Sequence, residues 1–324
     1  MTTFRKAFDK FFLGGIRRYM VSSRLRPLLL MATASLSLLL VACKPGASAG
    51  KTAPGADAAA EKRHPITGEI IKVDPERLTL LVRHDEIPGY MAAMTMEFSV
   101  TLGDVANARE GQRIRAELVE REGGEFALEK LWTVDPVADA QVGSAGGVLR
   151  QDTAIRGRRA YREVGENLPD FALYDQTGKV VSPARFRGKQ IMLNFIFTRC
   201  QVATMCPLST TRMVAAQNKA KEAGITGVEF VSITLDPEYD TPGVLLTYAK
   251  QRGIDTANFS FLTGPESAIK DLLTQFGVLA DFDGSILKHT VSTLLIDAQG
   301  RIIWRADGSQ WSPDDFVAKM KKTP

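Results

Sequence analysis

Three cysteines and three histidines in 324 residues exclude most disulfide and zinc architectures at the outset. A stapled framework needs a dense, even set of cysteines, and a structural zinc needs four ligands. This chain offers Cys43, Cys200, Cys206, His64, His84 and His289. Long apolar runs are scarce as well: the best, residues 27–42 (PLLLMATASLSLLLVA), has sixteen residues, short of the roughly 20 that span a bilayer as a helix. Basic charge is lacking over most of the chain. Residues 1–42 hold seven Lys/Arg against Asp9 alone, so of the formal +4 the remainder carries about −2. That slightly acidic body argues against nucleic acid as a partner.

What is present begins with an address. Basic residues, the apolar run and then Cys43 form an export signal, and Leu40-Val41-Ala42-Cys43 matches a bacterial lipobox, which makes Cys43 the lipidation site. Met20 is an alternative start that would give a more usual signal length. The expectation is a protein anchored by lipid to a bacterial membrane and facing the periplasm, where thiols can be oxidised. Cys200 and Cys206 then remain for chemistry.

Composition divides the rest. Residues 44–63 are rich in Ala, Gly and Pro and read as a flexible linker. Over 64–137, short β-like runs (TGEIIKVD, RLTLLVRHD, MTMEFSV, QRIRAELVE, EFALEKLWTV) separated by Asp-Pro, Pro-Gly and Gly-Gly predict a small all-β, OB-like barrel. Residues 138–162 (with QVGSAGGVLRQDTAIRGRR) read as a second polar linker. From 163 to 324 strands and helices alternate, which predicts an α/β domain with a central sheet. The buried strand QIMLNFIF ends just before Cys200, and a helix starts near Cys206. Asp240 and Thr241 before Pro242 read as ordinary helix-start chemistry.

A helix start stabilises a thiolate and lowers its pKa, so the pair suits a nucleophile or a metal ligand. A structural disulfide or two inert buried thiols are the alternatives. Cu(I), a soft ion, is satisfied by two thiolates and one imidazole, and His289 could complete that set if its strand runs beside the one ending near Cys200.

The segments LPDFALYDQTGK, LNFIFTRCQVATMCPLST, VSITLDPEYDTP, FSFLTG and LKHTVSTLLIDAQGRI, in that order, resemble the SCO/SenC family of thioredoxin-like proteins. The resemblance implies a thioredoxin-like fold, copper held by Cys200, Cys206 and His289, and a part in building the copper centre of cytochrome c oxidase. The family spacing is C-x-x-x-C; here five residues separate the thiols.

In the β-rich segment, HDEIPGYMAAMTMEFSV puts Met94 and Met96 two apart, hence on one strand face, with Met91 and His84 upstream. Methionines often only fill core gaps, yet thioethers with one imidazole also select Cu(I) or Ag(I). The stretch resembles the CusF type of periplasmic copper-binding domain, which implies His84, Met94 and Met96 as ligands. Met91 stands where that family's best-known members carry a tryptophan cap.

Together these imply a metallochaperone with copper as cargo, Cu(I) and secondarily Cu(II), and no catalytic residue. Its partners would be the copper-bearing oxidase subunit or another periplasmic copper carrier. The runner-up is a thiol-disulfide oxidoreductase using Cys200 and Cys206 as a redox-active disulfide. A copper sensing or resistance protein is a third reading with the same sites.

Overall fold

The computed structural model describes residues 62–121, 123–157, 160–283 and 286–320. Cys43, the signal segment and residues 44–61 of the first linker lie outside these.

The five β-like runs form β1 (Arg63–Asp74), β2 (Thr79–His84), β3 (Met94–Ser99), β4 (Arg113–Glu120) and β5 (Phe126–Thr133). They close into a barrel in the order β1-β2-β3-β5-β4. Alternation decides what faces inward: Ile66 and Ile70, Leu80 and Val82, Phe98, Ile114 and Leu118, and Leu128 make one buried cluster. Lys130 sits at φ +50 where the β4–β5 register shifts, a bulge that bends the strand toward closure. Between β3 and β4 lies α1 (Leu102–Asn107), which the sequence reading missed. Its signal was present, because Thr101 and Asp104 form a reciprocal capping box.

The polar linker expected over 138–162 is corrected. Residues Pro136–Arg156 form α2, a helix of 21 residues capped by Asp135 and started by Pro136. Ala138, Val142, Ala145 and Leu149 recur at helical spacing; Val142 and Leu149 are buried, the latter in the main core of the next domain. Three glycines hid that stripe: Gly143 and Gly147 on the exposed faces, and Gly146 beside the stripe itself, where it packs near Ala268.

The remaining elements are β6 (Leu173–Asp175), β7 (Val180–Val181), β8 (Gln190–Ile196), α3 (Cys206–Glu222), β9 (Val228–Thr234), α4 (Pro242–Gln251), β10 (Phe259–Thr263), α5 (Glu266–Phe276), β11 (Ala280–Asp283), β12 (Ile286–His289), β13 (Ser292–Ile296), β14 (Ile302–Asp307) and α6 (Pro313–Met320). One sheet runs β14-β13-β8-β9-β10-β6-β7. Within it β8, β9 and β10 are parallel, while β13 is antiparallel to β8. Leu193 and Phe195 face the core shared with α5, and Met192 and Ile196 face the core shared with α3, α4 and α6. Burial on both faces is why β8 reads as an unbroken apolar run. His289 does not open β13 as expected. It ends β12, in a separate hairpin with β11.

Candidate metal centre

Strand β8 delivers the chain to the edge of the sheet, and Thr198 is pinned there. Its amide donates to Asp240 Oδ2 at 3.1 Å, and its hydroxyl donates to Asp240 Oδ1. Thr234, at the end of β9, donates to the same carboxylate at 2.6 Å. Asp240 is fully buried, and burial pushes its carboxyl up to about 7 against those three hydrogen bonds. It is therefore a buried anchor of the turn before Cys200. Thr241 alone caps α4. The helix-start reading holds for Thr241 and is corrected for Asp240.

Arg199, next in line, pairs with Asp236 at 2.6 Å and lies 4.1 Å over the ring of Tyr239. Cys200 follows, half-buried, and residues 201–205 loop round to Cys206, the first residue of α3. That loop is tied back where Ser309 Oγ donates to the Thr204 carbonyl at 2.8 Å. The two extra residues are thus held by the segment ahead of α6.

The condition placed on His289 is not met as stated, since its own strand pairs with β11; it is β13, three residues further on, that pairs with β8, Thr293 opposite Asn194, and this brings the chain just before β13 past the thiols. Cys206 Sγ lies 3.5 Å from His289 Nε2, and all three donor atoms lie within 4.8 Å of one another. Three donors at roughly 2.0–2.3 Å from one ion would stand about 3.5–4 Å apart, so a small contraction would satisfy a trigonal site. His289 Nδ1 is 3.0 Å from the Thr290 carbonyl, which can only accept; the proton belongs on Nδ1 and the Nε2 lone pair faces the sulfurs. Burial lowers the His289 pKa, which favours the neutral, ligating form. Phe197 packs edge-on at 5.6 Å and dries that side.

The expected thiolate-lowering effect of the helix start does not win at Cys206. The thiol is buried, and burial pushes its pKa well up. Losing water costs a thiolate more than the helix end returns, so ionisation needs a cation to replace the solvent.

The barrel carries the second predicted set. Register places Met94 directly opposite His84, and Met96 opposite Val82, so both methionines share the face of His84. Met91 lies in the covering turn, bridged to Ile87 through hydrogen bonds of 2.8 and 3.0 Å. His84 is 1% exposed; its Nδ1 faces the Asp85 carbonyl at 2.7 Å, and its Nε2 is buried with no hydrogen-bond partner among the described residues. An orphaned imidazole nitrogen on the strand face that also carries Met94 and Met96 fits a soft ion. Asp85 is held by Thr67 and by Arg113, whose hydrogen bond leads in lowering its pKa.

Residues 159–323 match the family model described as SCO1/SenC. The chain belongs to the SCO1/SenC family. Residues 63–133 match a second model, the copper binding periplasmic protein CusF. The SCO1 protein homolog of Bacillus subtilis is 29% identical over 188 residues, which cover 55% of this chain and 93% of the relative. A SCO2-like protein of Rickettsia conorii is 34% identical over 144 residues, covering 41% of this chain and 66% of that one. The crystal structure of a SCO1/SenC family lipoprotein from Bacillus anthracis is 30% identical with a TM-score of 0.46, covering 51% of this chain and 99% of that chain.

In the SCO1/SenC domain, which has the thioredoxin-like fold, sequence reasoning missed the support around the donors. Thr198 and Ser309 gave no signal, because their partners lie 42 and 105 residues away. Asp240 lies where the resemblance places acidic residues near the site, but its position before Pro242 favoured a helix-start reading. Among the described residues, no helix is long and apolar enough to cross a membrane.

Proposed function

We propose that this protein is an extracytoplasmic, lipid-anchored copper chaperone that carries Cu(I) toward the copper centre of cytochrome c oxidase. The supporting observation is the convergence of Cys200 Sγ, Cys206 Sγ and His289 Nε2 within 4.8 Å, with the imidazole oriented by Thr290. Two sulfurs and one nitrogen favour a soft cation over zinc, which takes a fourth ligand, and over hard cations, which take oxygen. His84, Met94 and Met96, with Met91 as a further thioether from the turn after Ile87, form a second, thiolate-free Cu(I) site. Membership of the SCO1/SenC family, the CusF match and the Cys43 lipobox support the setting. The strand order of the barrel, with a short helix between its third and fourth strands, supports an OB-like reading.

The domain scheme we infer keeps 1–43 as signal and lipobox, 44–63 as linker, 64–137 as barrel and 163–324 as the thioredoxin-like domain, with 138–162 a helical connector. The oxidoreductase alternative, with Cys200 and Cys206 as a redox-active disulfide, fits less well, since a dithiol exchange site has no need of the His289 imidazole held against Cys206.

Anaerobic Cu(I) titration of the reduced chain tests the proposal. Two tight equivalents are expected. Cys200→Ser or His289→Ala should remove one, with loss of thiolate-to-copper absorption, and His84→Ala with Met94→Ala should remove the other. Tight binding unaffected by Cys200→Ser and His289→Ala would refute the thiol site. Transfer to the soluble copper-bearing domain of the oxidase subunit, followed by that domain's absorption, tests the partner.

A further inference from the structure

The barrel is seated on the SCO1/SenC domain at a place that bears on Cys200. Helix α1 of the barrel meets the first turn of α4 with glycine on both sides. A Cβ on Gly103 would collide with the Gly243 carbonyl oxygen, and a Cβ on Gly243 would collide with the Asp104 carboxylate. Bare backbones are what let two helix starts approach this closely. The contact is also bonded: the Gly103 amide donates to Thr247 Oγ1 at 2.9 Å, and Thr247 Oγ1 lies 3.3 Å from Thr101 Oγ1. Asp104 and Gly243 are both buried there.

Three residues before Gly243 stands Asp240, whose carboxylate grips the amide and hydroxyl of Thr198, two residues before Cys200. Asp240 and Thr241 are fully buried, so the turn linking them to Gly243 has no solvent-filled slack. A displacement imposed on Gly243 by α1 must pass into Asp240 or break its hydrogen bonds, because close-packed elements shift as units.

We propose that α1 of the barrel is a positioning element for Cys200, acting through the first turn of α4 and Asp240. The second domain is then more than an additional copper site: its docking sets the geometry of the thiol site. The inference rests on the proposed metal role of Cys200 for its meaning, while its mechanical content concerns the cysteine pair with or without copper.

The test is a double-mutant cycle in the full chain with Gly103→Ala, Asp240→Ala and the double variant. Two quantities are read: the Cys200/Cys206 dithiol–disulfide equilibrium against glutathione buffers, and Cu(I) affinity at the thiol site by competition. Cu(I) affinity of the Met/His site is the internal control. Gly103→Ala should weaken Cu(I) at the cysteines and displace the thiol equilibrium, each by about 2- to 30-fold, and leave the barrel site within about twofold. The double variant should be little worse than Asp240→Ala alone, since one path is broken twice. Unchanged thiol properties in Gly103→Ala, or effects that multiply in the double variant, overturn the inference. If Gly103→Ala does not fold, Thr247→Val, which removes the acceptor of the Gly103 amide together with the hydroxyl's bonds to the Gly243 carbonyl and Thr101 Oγ1, should move the same two quantities in the same direction, and no movement is refutation. Should the native cysteines bind no Cu(I), the chaperone proposal fails, and the glutathione equilibrium by itself decides this one.

Discussion

Asp240 offers a quantitative test of how the thiol site is built. Its carboxyl is held at about 7, against an ordinary 3.8, chiefly because burial disfavours the charged form. A group whose pKa is raised on folding contributes stability that is fully present below the unfolded pKa and is lost as pH rises through the folded one. The window therefore runs from about pH 4 to about pH 7, with stability falling as pH rises. At 1.36 kcal/mol per unit the full span is roughly 4 kcal/mol. Asp240→Asn isolates it. An amide oxygen can accept from the Thr198 amide and the Thr234 hydroxyl, while the amide nitrogen donates to Thr198 Oγ1, so the anchor is retained without the charge. Urea unfolding of both proteins between pH 4 and pH 8 should show the Asn variant gaining on the native protein by up to about 4 kcal/mol as pH rises. A difference that stays flat across that range, or that moves the other way, would refute the assignment of a buried, high-pKa carboxyl.

Other expectations follow from the same contacts. Leu149→Ala should cost about 2–5 kcal/mol in urea unfolding if α2 is packed as a core helix, whereas a loose linker would lose almost nothing. Ser309→Ala should leave overall stability within about 1 kcal/mol, yet weaken Cu(I) at the cysteines in competition titrations by freeing the loop at Thr204. In the barrel, Phe98→Ala should cost about 3–5 kcal/mol. His84→Leu, which removes an equally buried but unpartnered ring nitrogen, should cost far less in the metal-free protein while abolishing Cu(I) at that site. Equal costs for the two would mean that the His84 ring contributes more than its one bond, from Nδ1 to the Asp85 carbonyl.

Much of this was legible along the chain because the evidence is local. All five barrel strands announced themselves by alternation, and the parallel core by unbroken apolar runs between helical segments. His84, Met94 and Met96 could be grouped because hairpin pairing keeps neighbours in sequence adjacent in space. Helix α2 was not legible, since its glycines mask a stripe that only a partner surface explains. Hairpin β11–β12 was missed for a similar reason: His289 sits at the join between two strands, and alternation is silent about where one sheet stops and another begins.

The sequence by itself determined the side-chain chemistry on offer: two thiols, an imidazole 83 residues beyond Cys206, and thioethers with another imidazole elsewhere, groups that suit a soft ion. Only the tertiary structure decided whether these donors meet. Pairing of β13 with β8 brings His289 to the thiols, Asp240 and Ser309 fix the loops that carry them, and α1 braces Asp240 from the other domain. Side-chain chemistry is a property of residue type and survives in a string of letters. Burial, register and the hydrogen bonds that orient a ligand arise from segments far apart in the chain, and they exist only once those segments have packed.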